Sequence, residues 1–181
     1  MDFLCLEFVN SSWYITHKLF VDPLQDKSWR IRLTEKWGKT TLAEPTEIEL
    51  KELLQMRNML AKLFQKILDG SQLSKGDIAI MNNYMGNMLY HKQLLDGEAS
   101  YELAEVPQAQ NWHWFISEIA ASFSKLYTSE AIARLKACQN PECRWLFIDD
   151  SKSGARKWCD DTCATLMKVR RFRQKQKKEG S

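Results

Sequence analysis

The sequence predicts an α+β chain: a mostly helical body carrying one small β-hairpin, followed by a compact C-terminal module organised around cysteine. Three observations carry this reading. Apolar residues recur at helical spacing in three segments, two of them behind capping signals. An Asp-Gly pair at 96–97 divides two partly alternating arms. Four of the five cysteines lie between residues 138 and 163, and a basic run follows them.

Taken in order, residues 2–20 are apolar and aromatic before turning mixed. Asp2 is placed to cap a short helix holding Leu4, Phe8 and Ser11, although a strand fits the same residues. In "SWRIRLTEKWGKTT", 28–41, the partial alternation of Trp29, Ile31 and Leu33 predicts a strand and turn. Thr46 and Glu49 form a capping box, after which Ile48, Leu53, Met56, Leu60, Leu63, Phe64 and Ile67 share a helical face until Gly70 ends it. Ser74 and Asp77 open a second helix with Ile78, Met81, Tyr84, Met85 and Met88. The arms around Asp96-Gly97 predict a hairpin closed by Pro107. Residues 111–127 form a third helix, with Trp112, Phe115, Ile116, Ile119, Phe123 and Leu126 on its apolar side. Ser129 then caps "EAIARLKA", a helix expected to run straight into the first clustered cysteine.

A chain of 181 residues is long enough to bury a core without disulfides. It opens with no basic n-region and has no run of 18 uncharged apolar residues, so the reading is cytoplasmic, with no membrane span. In that compartment clustered cysteines point to metal or catalysis rather than to disulfides. Charge divides the chain. Residues 134–181 hold thirteen Lys/Arg and six Asp/Glu, a balance of +7; the remaining thirteen and seventeen give −4. An acidic body with a basic end suggests two tasks, and the boundary falls between 1–136 and 137–181.

The cluster reads Cys138-x4-Cys143-x15-Cys159-x3-Cys163. Two short pairs across a medium loop supply the four soft ligands that a structural Zn²⁺ takes in a tetrahedron. Between the pairs, "RWLFID" is strand-like, "DDSKSG" is a turn and "ARKW" a returning strand. Asp160 can cap a helix that starts at the second pair. Knuckle, hairpin and helix in this order describe a treble-clef-like zinc module with one structural Zn²⁺ per chain. Arg144 and Lys157 stand close in sequence to ligands and offset the charge of four thiolates. Four buried free thiols and a redox pair are the competing readings, but the spacing favours metal and neither pair is Cys-x-x-Cys. Four thiolates leave no open position for a catalytic water, and His17, His91 and His113 all lie outside the module. Cys5 reads as a small core residue.

Beyond the last cysteine, Leu166, Val169 and Phe172 continue a narrow apolar stripe from Cys163, suited to packing on the module's hairpin. Lys168, Arg170, Arg171, Arg173 and Lys175 cover the other faces. A helix so positive repels itself unless it meets an anionic partner, of which nucleic acid is the usual one. A solvated tail is the competing reading, set against a metal site that fixes where the helix starts.

Cys138 to Lys175 resembles the CGNR-type zinc finger, a bacterial C-terminal module thought to bind DNA. The likeness rests on the first pair running into "CRWLFIDDS", on "RKWC" and on "KVRRFR". The motif that names the finger begins at Cys163, and here it reads Cys163-Ala164-Thr165-Leu166. The opening "LCLEFVN" resembles the start of the ABATE domain, which precedes this finger in bacterial transcription regulators predicted to respond to stress. The resemblance implies DNA binding by the finger and a small-molecule effector sensed by the body. Within the body Glu7 and Asn10 are polar in an apolar opening, and Arg57 lies amid the long helix's apolar residues where the family often shows arginine. These three are the candidate ligand residues; pairing of Arg57 with a local carboxylate and helix capping by Asn10 are the alternatives. The expected function is a zinc-containing, DNA-binding transcription regulator that responds to a ligand. Alternatives are an RNA-binding protein or a protein-interaction module with structural zinc. No nucleophile–base constellation suggests an enzyme, and the oligomeric state is left open.

Overall fold

The computed structural model describes residues 3–17, 21–86, 88–97 and 100–179, with side chains except at 16, 17 and 177–179. Asp2, expected as a cap, lies outside them. The chain runs α1 (Leu4–Asn10), α2 (Trp13–His17), a 3-10 turn (Pro23–Gln25), α3 (Lys27–Gly38), α4 (Glu47–Leu68), α5 (Lys75–Gly86), β1 (Tyr90–Asp96), β2 (Tyr101–Pro107) and α6 (Trp112–Tyr127). A second 3-10 turn (Glu130–Arg134), β3 (Leu135–Ala137), β4 (Leu146–Ile148) and α7 (Asp161–Glu179) complete it. The sheets are two antiparallel pairs, β1–β2 and β3–β4. No helix among the described residues is long and apolar enough to cross a membrane.

Most of the core comes from α1, α4 and α6, with Leu24, Leu33, Met81 and Leu135 added from the first 3-10 turn, α3, α5 and β3. Thr46 and Glu49 form the capping box that starts α4: Glu49 N donates to Thr46 Oγ1, and Thr46 N to Glu49 Oε2. Leu53, Met56, Leu60, Leu63 and Phe64 then turn inward. All six apolar residues read on α6 are buried, as is Trp114, so both Trp112 and Trp114 belong to the core. Phe64 and Phe123 meet edge to face at 5.2 Å, a favoured aromatic geometry. α1 lies across both helices and contributes Leu4, Cys5, Phe8 and Val9. Cys5 is fully buried, and that burial pushes its thiol up to about 12.

The structure corrects several expectations. Residues 28–41 do not form a strand: Asp26 Oδ1 accepts from Ser28 N and caps α3. The buried face of α3 is Arg30, Leu33 and Thr34. Two of these are polar, so the apolar pattern alone does not reveal the period. Arg30 is accommodated by Leu24 O at 2.7 Å and by an ion pair with Glu44. "EAIARLKA" is not a helix but a 3-10 turn leading into β3. Ser129 makes no cap bond; its hydroxyl donates instead to Leu126 O. Ile48, assigned to the apolar face of α4, is 71% exposed because it sits in the first turn, beyond the core.

The expected hairpin is present, with Leu94 opposite Leu103 and Asp96 opposite Tyr101. Neither of its strands adds a residue to the core.

Arg57 is buried on α4. It donates to Ser11 Oγ at 3.1 Å and to both carboxylate oxygens of Asp22, one at 2.6 Å. Burial opposes ionisation of Asp22, but the Arg57 guanidinium and Leu24 N–H outweigh it and hold the carboxyl below its ordinary range. Replacing Arg57 with Met leaves Asp22 without its counter-ion. Urea unfolding should show a loss of about 3–5 kcal/mol. Asp22 is depressed in the folded state, so its contribution is complete above the ordinary carboxylate pKa of about 3.9 and disappears as pH falls through the lowered value. The wild-type advantage over the variant should therefore shrink in acid.

Candidate metal centre

The metal site is assembled from two turns. In the first, Cys138-Gln-Asn-Pro-Glu-Cys143, the chain folds back so that Asn140 O accepts from Cys143 N at 2.9 Å. Arg144 follows in the left-handed region at φ 57°, which swings the chain out toward β4. Cys138 N donates to Trp145 O at 2.8 Å and closes the knuckle. In the second turn, Asp160 Oδ1 accepts from Cys163 N at 2.8 Å, as an N-cap does, so α7 begins around its own ligand.

The four Sγ atoms lie within 4.8 Å of one another. Cys143 and Cys159 are 3.6 Å apart, and Cys159 and Cys163 3.8 Å, with every cysteine a free thiol. A tetrahedral zinc about 2.3 Å from each thiolate sets its sulfurs about 3.8 Å apart. The donor set therefore fits Zn²⁺ both in spacing and in softness. Cys138 and Cys143 are buried and the other two half-buried, and all four positions are taken by protein. A closed set of this kind supplies folding energy by tying the two turns together.

Residues 134–176 match the family model of the CGNR zinc finger. No curated protein matches the chain. The finger carries one structural Zn²⁺, held by Cys138, Cys143, Cys159 and Cys163. Its match begins at the end of the 3-10 turn, one residue before β3, and the body lies outside it.

Before metal binds, burial pushes the Cys143 thiol up to about 11 and raises Cys159 as well. Burial also disfavours the Cys138 thiolate, but the backbone N–H groups of Cys159 and Asn140 and the neighbouring thiols outweigh it, and Cys138 is held below its ordinary value. Metal binding at such a site releases protons, so zinc affinity falls as the solution is acidified.

Several residues that the spacing argument did not single out hold the finger in shape. Asn140 Nδ2 lies 3.5 Å from Cys163 Sγ and links the first knuckle to the second pair. Asp149 is fully buried between the pairs. It accepts from Lys136 Nζ at 2.5 Å, Ser151 N and Oγ at 3.0 and 2.5 Å, and Arg156 N at 2.9 Å. Lys136 and Ser151 hold its carboxyl well below the usual range. Arg156 donates to the carbonyls of Trp158 and Cys159 and lies over the Phe147 ring. Asp149-Asp150-Ser151 is a turn signal in the sequence; nothing there announces that its first carboxylate is buried. Arg144 and Lys157, expected to offset the thiolate charge, have exposed side chains.

β4 pairs with β3, not with "ARKW", which forms no strand. The apolar side of this short hairpin faces the body, where Leu135, Leu146 and Ile148 join the main core. The stripe on α7 therefore has no hairpin to pack on: Leu166 and Val169 are 39% exposed and Phe172 61%.

The three candidate ligand residues all have internal partners. Glu7 Oε2 accepts from Lys36 Nζ at 2.6 Å and Trp37 Nε1 at 2.8 Å. Arg57 holds Asp22. Asn10 reaches into the finger: its Nδ2 donates to Leu146 O and its Oδ1 accepts from Leu146 N, both at 2.9 Å. One side-chain amide thus satisfies the edge of β4 as a neighbouring strand would. Trp145, the residue before, meets Trp13 and Tyr14 edge to face.

On α7, Lys168, Arg171, Arg173 and Lys175 are exposed. Arg170 is half-buried and pairs with Glu142 of the first knuckle at 2.5 Å. Arg171 lies over the Trp158 ring. The side chains of Lys177 and Lys178 lie outside the described residues.

Metal analysis should return one zinc per chain. Cys143→Ser should lose it to a chelator far sooner and should lose the near-ultraviolet signal of Trp145 and Trp158. Asn10→Ala leaves two backbone groups of β4 without partners, at about 1–3 kcal/mol each. Amide exchange should speed up at Leu146 while the helices α4 and α6 keep their protection.

Proposed function

We propose that the protein is a cytoplasmic, non-enzymatic transcription regulator that binds duplex DNA through α7. One observation supports this above the others. Cys163, a zinc ligand, sits in the first turn of a 19-residue helix, and from Thr165 to Gln176 every side chain is exposed or half-buried. A helix of this length is about 28 Å long and fits the major groove. Helical spacing places Lys168, Arg171 and Lys175 on one face, suited to phosphate, with Arg170 and Arg173 toward the opposite side. Arg170 steadies the helix against the knuckle through Glu142. The exposed Leu166, Val169 and Phe172 supply the apolar surface that contacts thymine methyl groups in that groove.

The effector site in this reading is a cleft of about 420 Å³ between α1, α3 and β4. Glu7, Asn10, Trp29 and Trp37 line it from the body, Trp145 and Arg156 from the finger. A small molecule lodged there touches both parts at once, and Arg156 bonds directly to the carbonyl of a zinc ligand.

Mobility shifts on random duplex DNA with zinc-loaded protein test the reading. With about five phosphates neutralised, log affinity should fall against log salt with a slope near −4 to −5. The combined Lys168→Ala, Arg171→Ala and Lys175→Ala variant should flatten that slope by roughly 2–3. Tighter binding to structured RNA than to DNA would favour the RNA reading. Binding that ignores both salt and the substitutions would leave only a protein-interaction module.

A further inference from the structure

The β1–β2 hairpin is the part of the molecule that neither the core nor the finger uses. It is seven residue pairs long. It is tied to the body at its base, where Tyr90 Oη donates to Glu118 Oε1 of α6 at 2.6 Å. An isolated two-stranded hairpin is marginal in water, yet this one carries large apolar side chains in solvent: Leu94 is 66% exposed, Leu103 68% and Tyr101 72%.

The register puts these three on one face. Directly opposed residues share a face, as do residues two apart along a strand. One face therefore reads Tyr90, Lys92, Leu94, Asp96 along β1, opposite Pro107, Glu105, Leu103, Tyr101 along β2. Two leucines sit at its middle, with Lys92 and Glu105 on the base side and Asp96 and Tyr101 on the tip side.

We infer that this face is an interface between two copies of the chain, whose arms stack antiparallel about a two-fold axis crossing at the Leu94–Leu103 pair. The argument for a second copy is self-complementarity. Such an axis keeps each strand over its own counterpart and reverses its direction. Leu94 then meets the partner's Leu94, and Leu103 the partner's Leu103. Lys92 meets the partner's Asp96, and Glu105 meets the hydroxyl of the partner's Tyr101. Apolar groups face apolar groups, each charge faces an opposite charge or a donor, and no like charges come together. This is the pattern an isologous interface requires, because the same patch must fit itself. The other face lacks it. There, Gln93 would oppose itself and Val106 would meet the partner's Glu102. Antiparallel stacking also brings the tip of each arm toward the base of the other, where Glu118 and α6 lie. The inference stands apart from the nucleic-acid reading, since no residue of α7 takes part.

Light scattering and sedimentation of the full, zinc-loaded chain over a concentration series test it. The wild type should show a concentration-dependent dimer. Leu94→Thr with Leu103→Thr keeps good strand formers while removing the apolar patch, and should weaken the dimer by about tenfold or more. Its zinc content should not change, and at concentrations where both proteins are monomeric its melting transition should match the wild type's, because the hairpin lies outside the core. Asp96→Lys alone sets two lysines together across the axis and should weaken the dimer; adding Lys92→Glu restores an opposite pair there and should recover it in part. A chain that stays monomeric at every concentration overturns the inference. So does a dimer that the threonine pair or Asp96→Lys leaves intact, which would place the contact on another surface. Retention of a different protein on the arm, with the chain itself monomeric, would also overturn it.

Discussion

Four sulfurs from two turns have to meet around one point, and the arrangement of the C-terminal quarter follows from that constraint. The first turn is drawn tight by Asn140, whose carbonyl closes the knuckle and whose amide lies beside Cys163 Sγ. The second is a helix start capped by Asp160. Because the last ligand is inside α7, the metal fixes where that helix starts, and Arg170 on Glu142 and Arg171 over the Trp158 ring hold it farther along. The buried Asp149 gathers Lys136, Ser151 and Arg156 and gives the long loop between the pairs a single conformation.

The finger is joined to the body by more than a connecting segment. Asn10 treats Leu146 as a strand would, Trp145 packs against Trp13 and Tyr14, and the apolar side of β3–β4 completes the body's core. This use of the short hairpin has a consequence at the other end of the module: the stripe on α7 is left facing solvent. It also creates a cleft walled by body and finger together. A displacement at Asn10 would be felt at β4 through its two bonds to Leu146.

Wherever one local signal was sufficient, the sequence was legible. The box of Thr46 and Glu49, the Ser74–Asp77 start of α5 and the periodic α6 all formed as their residues indicate. So did the hairpin at Asp96-Gly97 and the thiol cluster. What failed did so for identifiable reasons. α3 buries Arg30 and Thr34 on its inner face, so its period is invisible to a reading of apolar residues. The segment after Ser129 has helical composition, but Leu135 and Ala137 are drawn into pairing with β4, and tertiary contact overrides the local preference. Glu7, Asn10 and Arg57 stood out as polar residues in apolar surroundings; their partners Lys36, Leu146 and Asp22 lie 29, 136 and 35 residues away, beyond any local pattern.

The chain alone therefore determined the chemistry that depends on residue type and short spacing: four soft ligands for one metal, and a run of cations directly after the last of them. Ligand spacing is a local property, and so is helix capping. Only the tertiary structure decided which surfaces remain free. It placed the apolar side of the finger's hairpin on the body, exposed Leu166, Val169 and Phe172 beside the cations, and stood Leu94, Leu103 and Tyr101 on an arm outside the core. Burial is a property of the whole packing, since each apolar face is covered or left open according to what every other element has already covered.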